Sequence, residues 1–256
     1  MSNISYLAIK TIIYFEIKEY LKEFQFTIIA PLTTTILFVF ILSTLDKYYS
    51  FINTDNSYIH FLVPGVVLSV VIQSSFNHLS EIIINMKQIG SFNDFLISPI
   101  SRIELFFSLL LSSIFVNILV GIINLFVLSF FINFESINYI SLFYYLTICI
   151  LIFSSLGALT GFLSFTWDIQ SSISTFFIVP ISFLSGTFFS IDIINEKFIF
   201  LFKYNPIYHL VSGFRSSLNN NFYEVDIYSN IYIIIFLVII ILISLIVFNK
   251  GYRVIN

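Results

Sequence analysis

The sequence predicts an all-α integral membrane protein: six transmembrane helices, an N-terminal interfacial helix, and an external re-entrant helical hairpin before the last span. Three observations carry this expectation. Apolar residues make up 58% of the 256-residue chain and charged residues 10%, against ~45–50% and ~25% in soluble domains. Eleven basic and fourteen acidic side chains cannot solvate a water-exposed surface of this size, and mean hydropathy is +1.00. Second, six stretches free of Asp, Glu, Lys and Arg exceed the ~20 residues that cross ~30 Å of hydrocarbon. They are 24–45, 56–80, 105–134, 136–167, 169–191 and 227–249. Third, runs this long lack the in-out alternation of a membrane barrel, so helices must satisfy the backbone.

Residues 4–23 are too charged to span. Ile9, Ile13, Ile17, Tyr20 and Phe24 share one helical stripe, Lys18, Glu19 and Lys22 lie opposite, and Glu16 and Glu23 sit at the border. That pattern predicts a helix lying on the membrane surface, as against an ordinary helix packed on the bundle. Spans are placed at 24–45, 58–80, 105–132, 140–165, 170–191 and 229–249. The two longest charge-free runs would reach about 45–48 Å at 1.5 Å per residue, so their ends must leave the core or tilt. A polar break around Asn133, Glu135, Ser136 and Asn138 separates them, and Trp167-Asp168 forms the next. An even number of spans puts both termini on one face. That face carries Lys10, Lys18, Lys22, Lys87, Arg102, Lys250 and Arg253; the other carries Lys47, Lys197, Lys203 and Arg215. The positive-inside rule therefore makes the termini cytoplasmic. The first apolar run follows three glutamates and lacks a small-residue cleavage site, so no removable signal peptide is indicated.

Two connections carry more than turns. Residues 81–104 join the second and third spans on the cytoplasmic side. Gly90 and Pro99 bracket a stretch in which Asp94 suits a first helical turn and Phe95, Leu96 and Ile97 form an apolar knob. A short projecting helix that docks into a soluble partner fits this pattern, and so does a plain connecting loop. Residues 192–226 contain two apolar runs too short to cross, 198–202 and 207–211, separated by Lys203, Asn205 and Pro206. They read as re-entrant or interfacial helices, with a folded external loop as the alternative.

Candidate chemistry is sparse. The chain has no G-x-x-x-x-G-K-[ST] phosphate loop, no G-x-S-x-G element and no H-E-x-x-H motif. His60, His78 and His209 are scattered, which suits polar packing better than metal ligation. Cys149 is the single cysteine, so no intramolecular disulfide forms, and the absence of a basic block argues against nucleic acid as a partner. Glu81, Glu104 and Asp168 are expected at span ends, and the spans offer no convergent polar set. That weighs against an ion-coupled secondary transporter and a lipid-modifying enzyme.

Several motifs occur in order along the chain: Phe61-Leu62-Val63-Pro64-Gly65, Asn93-Asp94-Phe95-Leu96-Ile97-Ser98-Pro99, Phe165-Thr166-Trp167-Asp168, Pro180, and Leu184-Ser185-Gly186-Thr187-Phe188-Phe189-Ser190. The last is Asn205-Pro206-Ile207-Tyr208-His209-Leu210-Val211-Ser212-Gly213-Phe214-Arg215. With six spans, this ordered set resembles the membrane subunit of type-2 ATP-binding-cassette exporters. The second motif is similar to the family's acidic-acidic-Leu-Leu-x-x-Pro coupling segment, with Asn93 in place of an acid and Phe95 in place of a leucine.

The resemblance implies one transmembrane permease domain over residues 1–256 in the inner (cytoplasmic) membrane. Two copies of the permease, most simply a homodimer, would work with two copies of a separate ATPase subunit. This chain would bind no cofactor itself; ATP and Mg would sit on the ATPase. Residues 85–103 would be the coupling segment, with Lys87, Ser91, Phe92, Asn93, Asp94, Phe95, Leu96 and Pro99 in contact with the ATPase or supporting that contact. Ile13, Ile17 and Tyr20 would brace a cytoplasmic gate helix, and Gly186, Asn205, Pro206, Gly213 and Arg215 would shape the external gate. The implied function is outward movement of an amphipathic or lipid-linked substrate: a polysaccharide, glycolipid, lipid or drug. The competing expectations are an ion-coupled secondary transporter and a non-transporting membrane scaffold.

Overall fold

A computed structural model describes residues 6–49, 58–92, 100–132, 134, 137–188, 196–218 and 226–250. Every regular element among them is helical. The chain runs through α1 (Tyr6–Lys22), a π-helical turn (Gln25–Ile29), α2 (Ala30–Tyr49), α3 (Tyr58–Ile89), α4 (Arg102–Leu128) and α5 (Tyr139–Leu163). There follow α6 (Trp167–Ile173), a second π-helical turn (Ser174–Ile178), α7 (Val179–Leu184), α8 (Glu196–Lys203), α9 (Pro206–Leu218) and α10 (Ile227–Lys250). Five helices among the described residues are long and apolar enough to cross a bilayer: Gln25–Thr44, Ile59–Ile89, Arg102–Leu128, Tyr139–Leu163 and Ile227–Lys250. The protein is an all-α integral membrane protein.

Local chemistry sets several helix ends. Ser101 caps α4 in a reciprocal box: its Oγ accepts from the Glu104 N–H at 3.2 Å, and the Glu104 carboxylate accepts from the Ser101 N–H at 2.7 Å. Asn138 caps α5 by accepting from the Ser141 N–H. At the other end of α5, the Lys87 ammonium donates to the carbonyls of Gly161, Phe162 and Ser164. A cation there satisfies orphan acceptors and complements the negative end of the helix dipole.

The centre of the bundle is the α3–α5 pair, flanked by α4, α9 and α10. Val67, Val71, Ile72 and Phe76 of α3 pack with Leu146, Cys149, Ile150 and Phe153 of α5 and with Leu210, Val211 and Phe214 of α9. A second cluster at the opposite end joins Ile12 of α1 to Leu79, Ile83, Phe106, Leu109, Phe162 and Phe248. By contrast α2 and α10 leave broad apolar faces uncovered, including Leu37, Phe40, Ile41, Ile235, Ile239 and Leu242.

Two element boundaries and one buried face add to or differ from the sequence expectation. The second span was expected to end at residue 80, before Glu81; the helix itself, α3, continues to Ile89, so the first residues of the expected coupling segment, 85–89, are helical. Glutamate is a good helix former, so Glu81 continues the helix, and its side chain lines a cavity. Residues 170–191 read as one smooth apolar span; the described part is α6, a π-helical turn and α7, ending in a turn where Gly186 adopts φ 78°. From Trp167 to Leu184 this broken helix is about 27 Å long at 1.5 Å per residue. Finally, α1 is rotated from its predicted stripe. Ile12 and Glu16 are its buried residues, Ile9, Ile13, Ile17 and Tyr20 are half-buried, and Phe24 beyond it is exposed. Packing of α1 on α4 selects that face.

Candidate translocation groove

Ser69, Gln73, Asn77 and Glu81 recur every fourth residue along α3, with Ser74 and His78 beside them. At 3.6 residues per turn they form one polar stripe on an otherwise apolar helix. The sequence reading expected no convergent polar set within the spans, and this stripe corrects it. The i, i+4 recurrence was visible in the sequence, but scattered single polar residues in a long apolar run do not announce a common face.

The stripe faces a groove walled by α1, the first π-helical turn and α2 on one side and by α7 on the other. One cavity of about 470 Å³ lies between Thr34, Thr35 and Phe38 of α2, Ser69 and Gln73 of α3, and Phe183 and Phe188. A second, of about 840 Å³, opens toward Glu16, Glu19, Asn85, Ile89 and Trp167. Tyr20, Glu23, Thr27, His78 and Glu81 line both, so the two are adjacent and share a wall.

Flanking hydrogen bonds hold the wall rigid. Tyr20 and Ser74 hydroxyls lie 3.3 Å apart, and Ser74 donates to Asn117 at 2.7 Å. Gln170 donates to Asn77 and Ser80, Ser174 to Asn77, and Gln73 to Ser182. These contacts tie α3 to α1, α4, α6 and α7, so the polar stripe is braced from both sides. In hydrocarbon such side-chain bonds also spare the groups from facing lipid unpaired.

At the α1 end, Glu16 is 8% exposed, and burial, reinforced by the neighbouring Glu19, raises its pKa to about 7. Burial also raises Tyr20 above the ordinary phenol value. A carboxyl raised in the folded state contributes stability that is fully present below its unfolded value near 4.5 and is lost as pH rises through about 7. Ionising Glu16 in place therefore costs about 3 kcal/mol. Amide exchange across α1, corrected for intrinsic rate, is expected to show stronger protection at pH 6 than at pH 8. Glu16→Gln should flatten that difference; equal protection at both pH values in the unmodified chain would refute the coupling.

The other end is organised around Arg215 of α9, 2% exposed. Its Nε donates to the Phe61 carbonyl and its Nη2 to the Gly186 carbonyl, both at 2.9 Å, and Cζ lies 3.6 Å from the centre of the Phe61 ring. Gly186 presents that carbonyl from a left-handed turn that disfavours a side chain. Asn205 starts α9 by accepting from the Ile207 N–H, with Pro206 at the first helical position, and its amide donates to Ser185. Gly213 lies under the Tyr145 ring, where an added Cβ would come within 2.3 Å. The structure thus brings Gly186, Asn205, Pro206, Gly213 and Arg215 together at one end of the bundle.

The profile of the ABC-2 type transporter family matches residues 7–219. The chain belongs to that family. It is 25% identical over 215 residues to the inner membrane transport permease YadH of Escherichia coli (strain K12), covering 84% of each chain. The protein of that name from Shigella flexneri gives the same figures. Family membership makes this chain the membrane subunit of a transporter that associates with a partner ATP-binding subunit.

In this ABC-2 subunit the residues expected to contact the ATPase divide sharply. Asn93, Asp94, Phe95, Leu96 and Pro99 lie outside the described residues. Phe92 is 5% exposed and packs edge-on against Phe162 and Phe248, so it anchors the start of the segment to the bundle instead of offering a contact. Lys87 caps α5, and Ser91 reaches back to the Met86 carbonyl. Of the expected gate-helix residues, Tyr20 lines the groove, while Ile13 and Ile17 are half-buried on the same helix.

Proposed function

We propose that the chain is half of an ABC exporter of the inner membrane, moving an amphipathic or lipid-linked substrate out of the cytoplasm. The observation that carries this reading is the groove along α3: a polar stripe walled on two sides by α1–α2 and α7, with a further side left open. A second copy placed across the exposed faces of α2 and α7 would turn two grooves into one passage. Both termini are then cytoplasmic, α1 lies at the cytoplasmic surface, and residues 93–99 meet the ATPase. ATP and Mg bind on that partner, present in two copies. The Arg215 end is the external gate, and polysaccharides, glycolipids, lipids and drugs remain the candidate cargo classes.

The test is assembly. Replacing both Phe95 and Leu96 with Asp is expected to abolish co-purification of the ATP-binding subunit while leaving the permease folded in the membrane. Each fully buried side chain of this size contributes ~1.5–3 kcal/mol, and each new carboxylate adds a desolvation cost. Two losses per copy lower affinity by about 100-fold or more. A double variant that still carries its ATPase at unchanged stoichiometry moves the docking site elsewhere, most directly to α1.

A further inference from the structure

We propose that the groove selects amphipathic organic cations, held by the carboxylates of Glu23 and Glu81 beside His78, an inference that rests on the exporter reading above. The first observation is charge. Four glutamates, these two with Glu16 and Glu19, line the two cavities, and among the described residues no lysine or arginine does. Among the described residues the single ion pair is Lys22 with Glu19, at 4.0 Å on the exposed side of α1. Glu23 and Glu81 line both cavities.

The second observation is His78. It is 5% exposed, its ring lies edge-on to Tyr20 at 4.8 Å, and neither ring nitrogen has a hydrogen-bond partner among the described residues. Buried polar atoms are almost always paired. Both nitrogens are shielded in this conformation, so a turn of the imidazole is what would bring its unused donor and acceptor to an occupant of the groove.

The occupant's class follows from the rest of the lining. Among the described residues no group of three or more His, Cys, Asp or Glu is arranged to hold a metal ion, so the carboxylates flank a space instead of closing on a point charge. The aromatic rings of Tyr20, Phe26, Phe38, Phe183 and Phe188 line the same groove. Carboxylates with aromatic faces recognise delocalised or alkylated cations. Volumes of about 470 and 840 Å³ suit a drug-sized molecule.

Tetraphenylphosphonium and tetraphenylborate, nearly identical in shape and opposite in charge, test this directly. Equilibrium dialysis of each ion against the full chain in zwitterionic nanodiscs, corrected for empty nanodiscs, should give saturable binding of the cation and none of the anion. Glu23→Gln with Glu81→Gln should weaken cation binding about tenfold, the loss of a charge-assisted contact. Saturable binding of both ions alike, no saturable binding of the cation, or unchanged affinity in the double variant overturns the proposal. Discrimination between the ions by the unmodified chain decides the matter if the variant does not fold. Co-purification of the ATP-binding subunit is scored on the same preparation. A chain that captures its ATPase yet shows no cation preference loses this site and keeps the exporter reading; cation preference without ATPase capture does the reverse.

Discussion

Gly157→Leu is expected to eliminate the folded protein. A Cβ at position 157 would lie 2.2 Å from the Phe76 carbonyl oxygen and 3.0 Å from its carbon, both backbone atoms of α3. One turn on, a Cβ at Gly161 would lie 3.0 Å from the Ser80 carbonyl oxygen and from the Ile83 Cβ. Gly157 and Gly161 form a G-x-x-x-G step that lets two helices approach backbone to backbone, the packing that substitutes for the hydrophobic effect between helices in lipid. Overpacking costs ~1–3 kcal/mol where side chains can yield; here the obstacle is main chain, so α3 and α5 must part. Separation would open the cluster of Ile72, Phe76, Cys149 and Phe153, all of them fully buried. Size-exclusion chromatography of a fluorescently tagged Gly157→Leu variant should show loss of the monodisperse peak. Gly161→Ala, with its longer approach distances, should retain most of it. A wild-type profile for Gly157→Leu would mean that the two backbones do not approach this closely.

The glycine step was present in the sequence as Gly157-Ala158-Leu159-Thr160-Gly161, and nothing in composition or charge said which helix it faced. The helical membrane class was legible because counting charges suffices to decide it. Charge counting ends the span at residue 80 because it treats Glu81 as a boundary; it says nothing of the helix, which runs on to Ile89, and only the neighbouring walls reveal that this carboxylate lines a groove mid-helix. Glu16 shows the complementary error. Its place at the border of an apolar stripe suggested a solvated side chain, whereas contact of α1 with α4 turns it inward. The motif ending at Arg215 was legible as a family signature. A basic residue outside the long apolar runs, however, reads equally as a headgroup anchor, and its near-complete burial is a tertiary fact.

That burial makes Arg215 the second position with a large expected effect. Its guanidinium joins α9 to the first turn of α3 through the Phe61 carbonyl and to the turn after α7 through the Gly186 carbonyl. Arg215→Ala takes a donor from each carbonyl: the Phe61 oxygen keeps its place in the α3 ladder, while loss at the Gly186 oxygen costs ~1–3 kcal/mol for a buried group left unsatisfied. The lost cation–π contact over Phe61 adds ~0.5–2 kcal/mol. Arg215→Lys is not a conservative rescue, because one ammonium lacks the planar fork that reaches both acceptors; it should recover part of the loss only. The protein supplies its own reporter: Cys149 is its single cysteine and is fully buried in α5. Reaction of that thiol with a fluorogenic maleimide on heating therefore follows opening of the bundle. The transition is expected to fall by about 10 °C or more for Arg215→Ala, a few kcal/mol in a chain of this size, and by less for Arg215→Lys. If Cys149 becomes reactive at the same temperature in all three proteins, the guanidinium bridges do not hold this end of the bundle shut. Arg215 would then need a role in the passage itself to account for its position.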